Sequence, residues 1–530
     1  MNGSTRAIRS ICRCRAASVQ PISQVTRCQA IWNSIRVQPP QATSRKGQDE
    51  PMRILILGNF SGWDRQGNHA ATDPLAERRP VAVDIDTFAE TMAHFAPCLS
   101  LPAGGLPSAG DELEFRTLDD FHPDKLYVRL SVFQELRQTR ERLANPATFK
   151  QSAATLLGTD PGAGNKAAEQ PTPTSEDEGD MLERLLGKPA AEPTSTGRPT
   201  GIDDFIRNLI QPHVLPSTDP RQPELIAGVD AAISEAMRTV LHQPAFQALE
   251  ATWRGLYNLI SELEADADLH FYVLDATQDE LFTDIRAAAT DLRQSVLYRQ
   301  LVEQTRIPGS QPWSLLVGDY RFGPAAEDVA LLAALGALGA QAGGPFIAAA
   351  KPALLGCASP QDLPDPKTWQ ALDSEATQRW QALRASWIAT WLGLALPRIL
   401  TRLPYGRRGE PIDAFAFEEI PAGGDLAAYL WGSPAFACAS LLASAFLENG
   451  WSMQPGDCLE LDDLPTYTYQ EAGETTMQPC AEVLLGERVV QAILDQGIMP
   501  LLSYRNRGAV RVLRFQSLAD PATTLAGPWQ

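Results

Sequence analysis

Residues 329–350, "VALLAALGALGAQAGGPFIAAA", run for 22 positions without a charge. Such a run has to leave water, either into lipid or into the middle of a folded core. Gly343, Gly344 and Pro345 break it in the middle, and Gln341 interrupts it. Ala and Gly dominate, and both drive membrane insertion weakly. The run therefore reads as a buried helix passing into a buried strand.

Other segments fit that picture. "RILILGN", "LHFYVLDA" and "WSLLVGDY" are compact apolar runs of strand length. "PVAVDIDTFAETMAHF" gives a strand and then a helix, with Asp86 or Thr87 as N-cap. "LEFRTLDDFHPDKLYVRLSVFQELRQTRERL" starts as a strand, turns at His122-Pro123-Asp124, and continues as a helix. "VDAAISEAMRTVL" sets Ile233, Met237, Val240 and Leu241 on one helical face, and Pro244 opens the next helix. "WQALRASWIATWLGLAL" is expected to be a helix carrying Trp380, Trp387 and Trp391. "CAEVLLGERVVQAILDQG" and "AVRVLRFQ" continue the alternation of helix and strand. The predicted class is α/β, of a mixed α+β kind, with no internal repeat.

A length of 530 residues suggests about three units. Composition divides the chain into a small α/β unit over 52–157, a linker over 158–200 and a larger globular part over 201–530, which opens with the helical stretch "IDDFIRNLI". The linker is rich in Pro, Gly, Ala, Thr and Glu, carries the acidic run "SEDEGD", and is expected to be disordered. Within it "DMLERLLGKP" is an amphipathic turn, read either as solvated linker or as a docking peptide. Residues 1–51 hold eight Arg or Lys against Asp49 and Glu50, a net +6, which leaves −25 (−19 minus 6) for the rest. That segment is expected to be disordered, either a basic arm or a transit-like peptide. The preferred reading is that it is an extension ahead of a natural start at Met52.

A net charge of −19 disfavours nucleic acid and anionic membrane surfaces as partners. The eight Cys are scattered, with no C-x-x-C, so they read as reduced, buried thiols of a cytosolic protein.

A catalytic reading needs a constellation. No P-loop, G-x-G-x-x-G after a strand, G-x-S-x-G or H-E-x-x-H is present. His122 lies beside Asp119, Asp120 and Asp124, which reads better as an Asp/Pro turn than as a metal site. Glu418 and Glu419, taken as neighbours in a strand, point to opposite faces and do not share a substrate. Asp319, expected at a strand end, suits catalysis in an α/β sheet but stands alone. The expectation is no catalytic residue, no cofactor and no metal.

The stretch "HQPAFQALEATWRGL" shows a different use of residues. Phe246, Leu249, Trp253 and Leu256 fall at helical spacing, and Glu250 lies one turn before Arg254. Phe246 and Trp253 would anchor the helix, Arg254 would pair with Glu250 or another acid, and Gly255 would admit a close neighbour.

Taken together, "LHQPAFQALEATWRGL", "LLVGDYRFG", "GGPFIAAA", "RLPYG", "FAFEE", "LWGSPAFACASLLASAFLENGW", "DLPTY" and "EVLLGER" follow in one order. This part resembles the large subunit of the type VI secretion contractile sheath. "LILGNFSG", "RRPVAVDID", "LEFRTLDDFHPD" and "LRQTRERL" resemble the small sheath subunit. The resemblance implies a non-enzymatic structural protein in which both subunits of a heterodimer are fused at one-to-one stoichiometry. It assigns structural or interface roles to Asp120, Phe121, Pro123, Phe246, Glu250, Trp253, Arg254 and Gly255. The same holds for Gly318, Asp319, Tyr320, Pro345, Phe346, Pro404, Tyr405, Gly406, Glu418, Glu419, Trp431 and Gly432. The implied partners are other sheath subunits, baseplate or tail-tube components, and the unfoldase that recycles sheaths, in an oligomer or hetero-complex in the cytoplasm without membrane insertion.

The family's large subunit continues well past "FQSLADP", whereas this sequence stops at Gln530. The expectation drawn from that is a sheath accessory: a cap, a nucleator or a link to the baseplate. The competing readings are an adaptor that recruits a partner through the linker peptide, and an enzyme using Asp319 or the Glu418–Glu419 pair.

Overall fold

The computed structural model describes residues 50–62, 74–101, 111–145, 147–157, 222–263, 268–288, 291–421, 426–471 and 474–529. The basic N-terminal arm, the linker peptide and "IDDFIRNLI" lie outside the described residues.

A nine-stranded sheet organises the chain. Its six inner strands are β5 (Leu269–Asp275), β1 (Met52–Gly58), β6 (Leu315–Phe322), β7 (Phe346–Ala350), β8 (Leu392–Leu396) and β14 (Met499–Ser503), in that order and all parallel. Antiparallel strands finish both edges: β2 (Val81–Val83) beside β5, and β15 (Val510–Val512) then β11 (Glu460–Leu461) beyond β14.

A parallel sheet needs cover on both faces, and β1 shows it directly. Ile54 and Ile56 enter one core, Leu55 and Leu57 enter the other, and all four are fully buried. The first core packs α1 (Phe88–Phe95), α2 (Pro123–Arg129), α3 (Ser131–Ala144), α5 (Gln222–Leu241), α6 (Pro244–Glu262) and α10 (Pro434–Asn449). Helix α4 (Phe149–Leu157) packs on α3 at its edge. The second core packs α7 (Gln278–Ala287), α8 (Ala326–Ala342), α9 (Ser374–Arg384) and α11 (Glu487–Asp495).

The uncharged run 329–350 is what its composition predicts. Helix α8 is buried nearly all round, Glu327 and Asp328 occupy its first turn, and β7 is buried at every position. Gly343 ends the helix at φ +103°, a conformation that an L side chain resists. No described helix is long and apolar enough to cross a membrane.

Two sequence expectations are corrected here. Trp380 alone lies on a regular α-helix, while Trp387 and Trp391 bound a 3₁₀ turn that leads into β8. "LGLAL" is a fully buried strand, a pattern that periodicity cannot separate from a buried helix. Of the described cysteines only Cys357, Cys438 and Cys480 are buried; Cys98 and Cys458 are half-buried.

Candidate functional site: the helix and charge cluster that join the two parts

Helix α6 starts at Pro244, which suits the first helical position, and presents one apolar face to the sheet. Its two buried rings, Phe246 and Trp253, take their ring contacts among the described residues from the N-terminal part. Trp253 meets Phe60, Phe88 and Phe95 at 5.2, 5.8 and 6.1 Å between centroids. Phe246 packs edge-on against Phe115 at 5.9 Å and Phe121 at 5.6 Å, and those two rings stack on each other. The Trp253 indole N–H donates to the Phe60 carbonyl at 2.9 Å, so the one polar atom of the ring is satisfied inside the core. Phe246 and Trp253 thus pack α6 against rings that lie between residues 60 and 121.

The polar side of α6 enters a buried charge cluster. Glu250, Arg402, Tyr405 and Glu419 are each 4 % exposed or less. Arg402 donates from Nε to Glu250 at 2.7 Å and from Nη1 to Glu419 at 2.7 Å. Its Nη2 bridges both carboxylates at 3.3 and 3.0 Å. Arg254 donates to Glu250 at 2.8 Å and to the Tyr405 hydroxyl at 2.9 Å. Glu419 also accepts the Tyr405 backbone N–H at 2.7 Å, and the Arg402 guanidinium lies 4.0 Å from the Tyr405 ring centroid. Two guanidiniums thus meet two carboxylates with no net charge. Burial pushes the Glu250 carboxyl up, but Arg402 and Arg254 outweigh it and hold the group below the usual carboxylate range. Burial lowers Arg402, and Glu250 and Glu419 overcome that, so it stays charged.

The cluster also touches the N-terminal part. The His122 ring lies edge-on to Tyr405 at 5.0 Å. Its Nδ1 accepts the Asp124 N–H at 3.2 Å and caps α2, where Pro123 is the first residue. Asp124 accepts the backbone N–H groups of Asp413 and Ala414 at 3.1 and 3.0 Å. The His-Pro-Asp turn is therefore a clasp on the loop that carries Glu418 and Glu419. Asp120 serves the turn locally, accepting N–H bonds from Arg116 and Thr117 at 2.8 and 3.0 Å.

The remaining predicted residues hold the surrounding backbone. Gly255 faces the Phe436 ring, where an added Cβ would lie 2.7 Å away, and Gly318 faces Phe346, where it would lie 2.4 Å away. Tyr320 donates to the Ala276 carbonyl at 2.6 Å, and the Pro345 carbonyl accepts from Leu316 N–H at 2.9 Å. Pro404 and Gly406 form backbone bonds with Glu410 at 3.1 and 2.7 Å. Trp431 donates to the Leu426 carbonyl at 2.7 Å, and Gly432 pairs with Ile399 between short strands β9 (Ile399–Leu400) and β10 (Trp431–Gly432).

Two expectations about acids are revised. Glu418 and Glu419 lie in a loop rather than a strand, because their backbone serves the Arg238 side chain and Tyr405 instead of a ladder. Glu419 is buried while Glu418 is half-buried, so the pair still does not converge. Asp319 lies inside β6 rather than at its end, and its carboxyl accepts the Thr252 hydroxyl at 2.5 Å. Burial pushes Asp319 above the usual carboxylate range, with Thr252 and Arg321 opposing.

Arg402 is the residue that sequence reasoning passed over. It opens "RLPYG", and its signal was an Arg in an otherwise apolar, turn-forming stretch. Its partner Glu250 is 152 positions away, so spacing carried no hint of the pairing. Among the described residues, no group of three or more His, Cys, Asp or Glu is arranged to hold a metal. The cluster's charges are spent on one another, an arrangement suited to fixing the geometry of a joint.

Two stretches of the chain match known protein families. Residues 223–519 match the family model of the VipB (EvpB) tail sheath N-terminal domain. Residues 34–154 match the VipA family model of the type VI secretion system, a span that begins ahead of Met52. The chain is 31 % identical over 346 residues to the type VI secretion system sheath protein TssC1 of Pseudomonas aeruginosa, covering 63 % of this chain and 69 % of that protein. The chain belongs to the VipB tail-sheath family of type VI secretion systems and carries a VipA-like segment ahead of its sheath domain.

Proposed function

We propose that this chain is a pre-joined sheath building block whose small-subunit-like and large-subunit-like parts fold as one body, and that it works by protein assembly rather than catalysis. The observation that carries this is the position of β1. It lies between β5 and β6, pairing with both, in the middle of the sheet. The two parts are thereby committed to one-to-one stoichiometry and a fixed relative orientation. In the cytoplasm it acts as a sheath-like or sheath-accessory component that caps, nucleates or links a sheath to its baseplate. Its partners are sheath subunits, baseplate or tail-tube components, and the recycling unfoldase.

Negative-stain electron microscopy of the chain, alone and mixed with the matching sheath subunits, tests this reading. Binding at sheath ends or to baseplate parts supports an accessory, and tubes from the chain alone make it a protomer. A monomer that engages no sheath component contradicts the assembly reading.

A further inference from the structure

Beside the Arg402 loop lies a groove whose charge runs against that of the chain. It has a volume of about 1060 Å³, and its wall carries Arg407, Arg408 and Arg505 over Tyr429, Tyr467 and Tyr469. The three arginines are exposed. Among the described residues, none of their guanidiniums takes part in an ion pair. Two carboxylates share the wall, but Glu482 is held by Arg398 at 2.6 and 3.0 Å, and Glu418 accepts the Arg407 N–H at 3.3 Å. Tyr429 and Tyr467 pack edge-on at 5.8 Å, and Tyr469 stacks beyond them. A cationic rim over an aromatic floor, on a chain of net charge −19, suits an extended peptide that carries both acids and leucines.

We propose that residues 175–186 of the same chain, "SEDEGDMLERLL", dock in this groove. The segment sets Glu176, Asp177, Glu178, Asp180 and Glu183 against one cation, Arg184, and carries Met181, Leu182, Leu185 and Leu186 for the tyrosines. Its tether leads to the right place. Helix α5 begins at Gln222, and its Arg238 donates to the Glu418 carbonyl on the groove wall at 3.1 Å. Those 16 residues (238 minus 222) of helix span about 24 Å. The 36 steps from Leu186 to Gln222 (222 minus 186) give an unconstrained peptide an r.m.s. span of about 33 Å. Reach and distance match, which is where tethering raises local concentration most, to about the millimolar range.

The probe is a fluorescent peptide of residues 170–190, titrated onto the full chain with its own 170–190 replaced by a Gly/Ser segment of equal length. Saturable binding is expected, weakened at least about tenfold by Arg407→Glu with Arg408→Glu and by about 0.5 M salt. A peptide bearing Glu176→Gln, Asp177→Asn, Glu178→Gln and Asp180→Asn should lose affinity to a similar degree, and this arm cannot be confused with misfolding. The unaltered chain should bind the probe poorly because its own segment fills the groove. The proposal is overturned by equal binding to the charge-reversed groove, by no binding, or by equal binding to the altered and unaltered chains. A dimer of the unaltered chain that the replacement dissolves would also overturn it, since the occupant would then come from a second copy.

Discussion

At the scale of the residue, the joint depends on which buried charges are paired. Among the described residues Arg402 is the one guanidinium that reaches both Glu250 and Glu419. Removing it leaves Glu250 with Arg254 and Glu419 with the Tyr405 N–H, two carboxylates that are 0 % and 1 % exposed and have lost their shared countercharge. Arg402→Ala should cost about 3–5 kcal/mol in urea denaturation, and Arg402→Lys should recover only part, because an ammonium cannot reproduce the planar fork. A loss below about 1 kcal/mol would mean that the cluster is not cooperative. Glu250 and Asp319 should respond to pH in opposite senses. The folded pKa of Glu250 is depressed from 4.5, so its contribution is present above that value and lost as pH falls through the folded pKa. Asp319 is raised from 3.8, so its contribution is present below that value and lost as pH rises through the folded pKa. Asp319→Asn should therefore lie within about 1 kcal/mol of the parent at neutral pH, while Glu250→Gln should cost several times that. Paired pH–stability curves check both signs. The pairing of Glu250 with Arg254 was legible because a helix turn brings them together. Arg402 was not, because only the fold brings it to α6.

At the scale of the element, helix α6 is the hinge pin of the structure. Trp253→Ala should cost about 3–5 kcal/mol. Its lost contacts are Phe60, Phe88 and Phe95, so hydrogen exchange should rise in 52–60 and 88–95 as well as in α6. A rise confined to α6 would contradict the anchoring role. Apolar runs predicted β1, β5, β6, α8 and β7 well, since each is short and bounded by Gly, Pro or charge. The tryptophan run at 380–391 misled because three rings at helical spacing sit on two kinds of backbone, Trp380 on an α-helix and Trp387 and Trp391 on a 3₁₀ turn. Ring spacing reports burial on a shared core, and here Trp380 belongs to the second core while Trp391 packs with Ala340 and Ala526.

At the scale of the whole molecule, composition divides the chain at an acidic, Pro-rich linker, yet the sheet crosses that division. β1 comes from the VipA-like side, and its neighbours β5 and β6 come from the VipB-like side. Nothing local in "RILILG" tells which strands it joins, so the partnership was invisible in the sequence although the strand was not. The clasp of Asp124 on residues 413–414 and the Arg140–Asp230 pair at 2.6 Å add contacts across the same joint. Asp124→Ala should loosen the clasp by about 1–2 kcal/mol without separating the parts, because the sheet remains.

The most direct test of the joined body is to place a specific protease site in the linker between residues 158 and 200, cut the folded chain, and size the products under native conditions. The account predicts that the two fragments co-elute as one particle and part only when denaturant unfolds both together. Fragments that elute separately in native buffer, each still folded, would contradict it.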